Sequence, residues 1–314
     1  MKNRTFVFLA IWAGWANTLT AQNLPEAFNQ NVLFNDVEQR DVDHHPVMAY
    51  LEPATSLLVR FSLQNVNAEA IAAWAGLPKD KEATKSRATI QRKIDLAMHV
   101  CGTSDVYVIA SPRSLVEAAP MIVYPCKRPA NATDLVRLIK DDLPKLGGQI
   151  QSQTDQRFVL VGVPQAIERV LVPEVAGRAK LIEALASFDE YPNSMVIALP
   201  DRVRDDLVSL WPDQLPPSWP TKISPRAMVR DIDRVTASWR FPPDAELLVT
   251  FESTDLAAAH RTREAIDKVL GHRQGLADRL AISTEDATLR IKADEDTFAE
   301  IVVVLAGLWT ELMD

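Results

Sequence analysis

Residues 120–171, PMIVYPCKRPANATDLVRLIKDDLPKLGGQIQSQTDQRFVLVGVPQAIERVL, decide the reading of the fold. An apolar run rich in strand formers (MIVYPC) gives way to apolar residues at helical spacing (ATDLVRLIKDDL). A polar strand and an apolar strand follow as a hairpin (GQIQSQTD, RFVLVGV), and QAIERVL closes the stretch as a helix. The same order returns in residues 246–270, ELLVTFESTDLAAAHRTREAIDKVL, and in residues 280–305, LAISTEDATLRIKADEDTFAEIVVVL. Each stretch reads strand, helix, strand pair, helix.

The echo extends toward the N-terminal side of both stretches. SLLVRFSL reads as a strand and NAEAIAAWAGL as a helix, with Ala70, Ile71, Trp74 and Leu77 recurring at helical spacing. The charged stretch PKDKEATKSRAT reads as a solvated loop before a second helix, IQRKIDLAMHV, and the strand DVYVIAS. In the second copy SMVIALP is followed by the helix DRVRDDLVSLW, where Val203, Leu207, Leu210 and Trp211 mark one face. The segment PDQLPPSWPTKISP carries five prolines in fourteen residues, too many for a helix or a central strand, and matches the charged loop in position. DRVTASWRF then pairs with ELLVTFES around Pro242 and Pro243. The order β-α-β-β-α-β is that of the split βαβ, ferredoxin-like fold. The chain is therefore expected to be α+β, with two tandem ferredoxin-like units, each with one added strand and helix, over residues 56–176 and 177–314. One larger α+β sheet is the alternative.

Ahead of the first unit, residues 1–21 have the layout of a secretory signal: Lys2 and Arg4, an apolar run from Phe6 to Trp15, and the small-residue end Thr20-Ala21. Cleavage after Ala21 leaves an N-terminal arm over residues 22–55 and an exported chain, in the periplasm or outside the cell; retention of the segment as an uncleaved anchor is the alternative. Loss of Lys2 and Arg4 takes the net charge from -8 to -10. An acidic chain without a basic, aromatic-interleaved stripe does not suit a phosphate backbone, so nucleic acid is not an expected partner. No segment after the signal is long and apolar enough in sequence to span a bilayer.

Cys101 and Cys126 are the two cysteines, and in an oxidising compartment an even count invites pairing. They fall at the same end of the strands DVYVIAS and MIVYPC if those strands pair antiparallel; two buried free thiols are the other reading. Asp41, Asp43, His44 and His45 place carboxylate and imidazole within five residues, a ligand set for a divalent metal. Neighbouring side chains of an extended segment point to opposite faces, which favours a solvated or partner-contacting arm. Trp219, in the proline-rich loop, is the best candidate for an exposed binding aromatic, whereas Trp74, Trp211 and Trp309 suit core anchors on helix faces. Asp294, Glu295 and Asp296 suit the first turn of a helix, where acids complement the macrodipole.

The chain carries no GxSxG elbow, no GxGxxG and no GxxxxGK. No cofactor is expected, and no catalytic residue is named. The resulting expectation is a non-enzymatic exported module that binds a protein or an envelope component. An exported hydrolase, or a small-molecule or metal carrier with a site between the two units, is the alternative.

Overall fold

The computed structural model describes residues 47–76, 80–112, 120–140, 150–171, 181, 184, 191–210, 213, 224–271 and 275–302. Asp41, Asp43, His44, His45, Trp211, Trp219, Trp309 and the signal-like segment lie outside these residues. Ten strands form one sheet: β1 (Leu57–Ser62), β2 (Asp105–Ala110), β3 (Met121–Pro125), β4 (Gln151–Asp155), β5 (Phe158–Gly162), β6 (Asn193–Ile197), β7 (Ile232–Arg240), β8 (Glu246–Ser253), β9 (Ala281–Glu285) and β10 (Thr288–Ala293). The helices are α1 (Ala68–Trp74), α2 (Lys81–Cys101), α3 (Pro129–Ile139), α4 (Pro164–Leu171), α5 (Asp201–Leu210), α6 (Pro225–Asp231), α7 (Leu256–Gly271) and α8 (295–302).

All neighbouring strands are antiparallel, in the order β4-β5-β3-β2-β1-β6-β7-β8-β10-β9. The fold is thus mixed α and β on an open antiparallel sheet, and two separate ferredoxin-like sheets are not found. The reason lies after the first strand of each half. A single crossover helix returns the chain parallel to the strand it left, but here, among the described residues, two helices intervene, α1 and α2 after β1 and α5 and α6 after β6. An even number of helices brings β2 and β7 in antiparallel to the strands they follow. A split βαβ does survive further on: β3 and β4 run the same way, joined through α3, with β5 hydrogen-bonded between them. β8, α7, β9 and β10 repeat this arrangement.

Counted from its own first strand, each half has the order 4-5-3-2-1, and the halves meet at β1 and β6, with Leu57 opposite Ile197 and Arg60 opposite Ser194. The two outer hairpins match in detail, because each turns through a non-glycine residue of positive φ, Gln156 at 48° and Asp286 at 52°. Among the described residues, β4 and β9 are the two edge strands of the sheet.

Alternation along the strands sorts the core into faces. Met121, Val123, Phe158 and Leu160 face one side with Leu58, Tyr107 and Ile109, where Val47, Tyr50, Leu51 and the α4 residues Ile167 and Val170 cover them. Leu181 and Ala184 are buried in the same cluster. Ile122, Val159 and Val161 face the other side against Ala132 and Leu135 of α3. Further along that second face, Val59, Val108 and Trp239 pack with Ile71 and Ala75 and with Phe298 and Val302 of α8. Each fully buried leucine or valine of this kind contributes about 1.5–3 kcal/mol. β5 is buried at every position, which accounts for its uninterrupted apolar sequence FVLVG.

Three local expectations are corrected. The stretch PKDKEATKSRAT is helical from Lys81, because Asp80 caps the helix through its Oδ1 on the Ala83 N–H at 2.8 Å. Its Lys, Glu, Ala and Arg residues are good helix formers whose charge had suggested a loop. Helix α3 begins at Pro129, ahead of the stretch ATDLVRLIKDDL that reads as helical from Ala132, since proline fits the first turn, where its missing N–H costs nothing. Helix α6 was not expected; Ser224 caps it, accepting from the Ala227 N–H at 3.1 Å, and Pro225 opens it.

Candidate functional site

Of the candidate residues named from sequence, the structure brings together Cys101 and Cys126. Cys101 ends α2 and Cys126 follows β3, so the docking of α2 against the strand end sets their approach. Both are buried and both are free thiols, so the expected disulfide is not present. The two thiols are near enough to perturb one another's ionisation, and the Cys126 Sγ–H donates to the Tyr124 carbonyl at 3.8 Å. The neighbouring Cys126 side chain and then burial push the Cys101 thiol up, which keeps it protonated at neutral pH. Burial, with a smaller effect of Cys101, raises the Tyr124 phenol to about 12.

The other sequence candidates among the described residues take structural places. Trp74 is a core anchor, as expected: its indole N–H donates to the Glu295 carbonyl at 3.1 Å, and its ring meets Phe298 edge-on at 4.9 Å. Asp294 caps α8 by accepting from the Thr297 N–H at 3.0 Å, and this contact with Thr297 holds its carboxyl below the usual range. His260 is exposed on α7. His99 borders a shallow surface depression with Met98, Gly102 and Thr103. No three His, Cys, Asp or Glu side chains converge to hold a metal ion among the described residues.

Two polar constellations were not anticipated. Between α6 and α7 lies a cleft of about 180 Å³ bordered by Ser224, Met228, Asp231, Arg261, Thr262 and Lys268. Asp231 is only 3% exposed and accepts from Arg261 Nε at 2.6 Å and Arg230 Nε at 3.0 Å. Burial opposes its charge, but the two arginines prevail and hold its carboxyl below the usual carboxylate range. A carboxylate so engaged is an anchor for two helices rather than a base. In sequence Asp231 and Arg261 stand thirty residues apart, and nothing in their spacing signals the pair.

The second constellation is the sheet face of β7, β8 and β10 opposite Trp239 and Leu289. Register aligns Arg240 with Glu246, Leu248 with Lys292, and Thr250 with Arg290 on this face. The Tyr191 hydroxyl donates to Glu246 Oε1 at 2.8 Å, and Lys292 Nζ lies 3.3 Å from the same oxygen. Tyr191, and after it Lys292, hold the Glu246 carboxyl below its ordinary value against burial. The Arg240 guanidinium stacks 4.7 Å from the Tyr191 ring centroid, and Arg234 pairs with Glu252 at 2.6 Å. Arg240, Arg290 and Lys292 remain exposed. The alternation in TLRIKA, polar at Arg290 and Lys292 and apolar between them, was the available signal. Among the described residues, no helix is long and apolar enough to cross a membrane. No family model, curated protein or solved structure matches the chain.

Proposed function

We propose that this protein is an exported, non-enzymatic interaction module, and that the charged face of β7, β8 and β10 receives a protein partner of mixed surface charge. The observation that carries this reading is the contrast between the two ends of one sheet face. At the β5 end, Val123, Phe158 and Leu160 are buried under apolar residues of the chain itself. At the β10 end, the same face presents Arg240, Arg290 and Lys292 to solvent, with Glu246 and Glu252 between them. A sheet face that displays fixed charges of both signs selects a partner by charge register and adds little non-specific affinity. The signal-like residues 1–21 support export, and the partner is then a protein of the cell envelope or its exterior.

The test is chemical cross-linking in intact cells, comparing the native chain with the double variant Arg290→Glu, Lys292→Glu. The native chain yields a defined adduct, while the variant yields none and unfolds at an unchanged temperature. An equal adduct from both proteins, or none from the native chain, overturns the reading. The mass of the recovered chain tests export separately, with residue 22 expected at its start.

A further inference from the structure

The end of α2 and the end of β3 are locked together by several polar contacts. The Lys127 N–H donates to the Cys101 carbonyl at 2.7 Å, directly joining the backbones on either side of the two thiols. Thr103 Oγ1 donates to the Pro125 carbonyl at 2.6 Å, and Asn131 Nδ2 donates to the Val100 carbonyl at 2.5 Å. Gly102, at φ 69°, supplies the left-handed turn that ends α2, and its N–H returns to the Met98 carbonyl at 2.8 Å. A side chain added at Gly102 would meet Lys127 Cβ at 3.2 Å, so the close approach of the two chains needs this glycine. Within this frame Cys101 is 3% exposed and Cys126 is 2% exposed.

We infer that Cys101 and Cys126 form a reversible dithiol–disulfide couple that bolts the end of α2 to the end of β3 without rearranging the fold. The Lys127–Cys101 backbone bond keeps the two residues adjacent, and closure draws the sulfurs together to about 2.05 Å. The oxidant is a small-molecule or protein disulfide. Cys126 attacks one of its sulfurs and forms a mixed disulfide; the first thiolate leaves and takes up the Cys126 proton. Cys101 then attacks the Cys126 sulfur, and the second thiolate leaves with the Cys101 proton. Two protein thiols and one disulfide become one protein disulfide and two thiols, so the oxidant gains the two electrons that the protein loses. The depression bordered by Met98, His99, Gly102 and Thr103 brings solvent to the end of α2 beside Cys101. Burial of both sulfurs makes the first exchange with the external disulfide slow, and the second, between the two neighbouring cysteines, is intramolecular. The inference does not rest on export: the couple is reduced in a reducing compartment and closed in an oxidising one.

The experiment equilibrates the purified, folded chain over a series of reduced and oxidised glutathione ratios and quenches it with acid. Unpaired thiols are then alkylated in denaturant, and the products are read by intact and peptide mass spectrometry. The expected result is a two-state conversion to a species lighter by two hydrogens. Its non-reducing digest joins the peptides of Cys101 and Cys126, with unchanged circular dichroism and full reversal by dithiothreitol. Cys126→Ser under the same series shows no such species. Two alkylated cysteines at every ratio overturn the inference, as does a bridge that forms only with loss of the folded signal or only in denaturant.

Discussion

Replacing Asn193 by alanine tests whether the two halves of the sheet form one cooperative structure. Asn193 is fully buried at the start of β6, on the seam between the halves. Backbone pairing between β1 and β6 stops at Arg60 opposite Ser194, and the Asn193 side chain continues it. Its Oδ1 accepts from the Ser62 N–H at 3.1 Å, and its Nδ2 donates to the Trp239 carbonyl at 3.3 Å, so one amide ties β1 to β7 across β6. Alanine strands the buried Ser62 N–H, at about 2 kcal/mol, and removes the contact to Trp239, at about 1 kcal/mol. The total of about 3 kcal/mol is a lower figure, since the void left by the amide adds to it. Urea unfolding followed by tryptophan fluorescence and far-ultraviolet circular dichroism measures the effect. The midpoint falls with an unchanged slope, and the two probes stay coincident. A loss below about 1 kcal/mol would refute the assignment of this amide as the cross-seam tie. Separation of the two probes into successive transitions would refute the single cooperative sheet.

Other outcomes follow from single contacts. Closure of the Cys101–Cys126 bridge confines a loop of about 25 residues and raises unfolding stability by about 3.5 kcal/mol, a difference that Cys126→Ser abolishes when oxidised and reduced samples are compared by urea titration. The Asp231 carboxyl is held low in the folded state, so its stabilisation is fully present above the unfolded value near about 3.9 and is lost as pH falls through its folded value. Asp231→Asn therefore flattens the acid limb of a stability-versus-pH curve, and an unaltered limb contradicts the Arg230 and Arg261 contacts. Trp74→Phe keeps a ring against Phe298 but loses the indole bond to Glu295, costing about 1 kcal/mol in thermal or urea unfolding. Arg290→Glu alone changes stability by less than about 0.5 kcal/mol, because Arg290 pairs with Glu285 only at an exposed position.

The strands were legible because their sequences report their surroundings. FVLVG is buried on both faces and TLRIKA on one, and each sequence carries the matching pattern. The topology was less legible, because PRAMVRD, the second helix after β6, did not read as one, and PKDKEATKSRAT hid the true start of α2. Both are short on apolar residues, and their helices are set by the caps Asp80 and Ser224 rather than by a buried stripe. The meeting of Cys101 and Cys126 followed from reading DVYVIAS and MIVYPC as an antiparallel pair, which they are. Asp231 with Arg261, and Glu246 with Tyr191 and Lys292, come from separate elements. Their chemistry becomes visible only once strand register and helix packing place them.

The seam at β1 and β6 also has a symmetry. Two equivalent strands, running antiparallel and each first in its own half, form the contact that a two-fold symmetric pair of identical half-length chains would make. A half-length chain with this strand unpaired has in it a ready surface for self-association. Joining two such halves in one chain makes that association intramolecular and independent of concentration. The two halves differ on the equivalent surface: one has an apolar sheet face under its own cover, and the other a charged one.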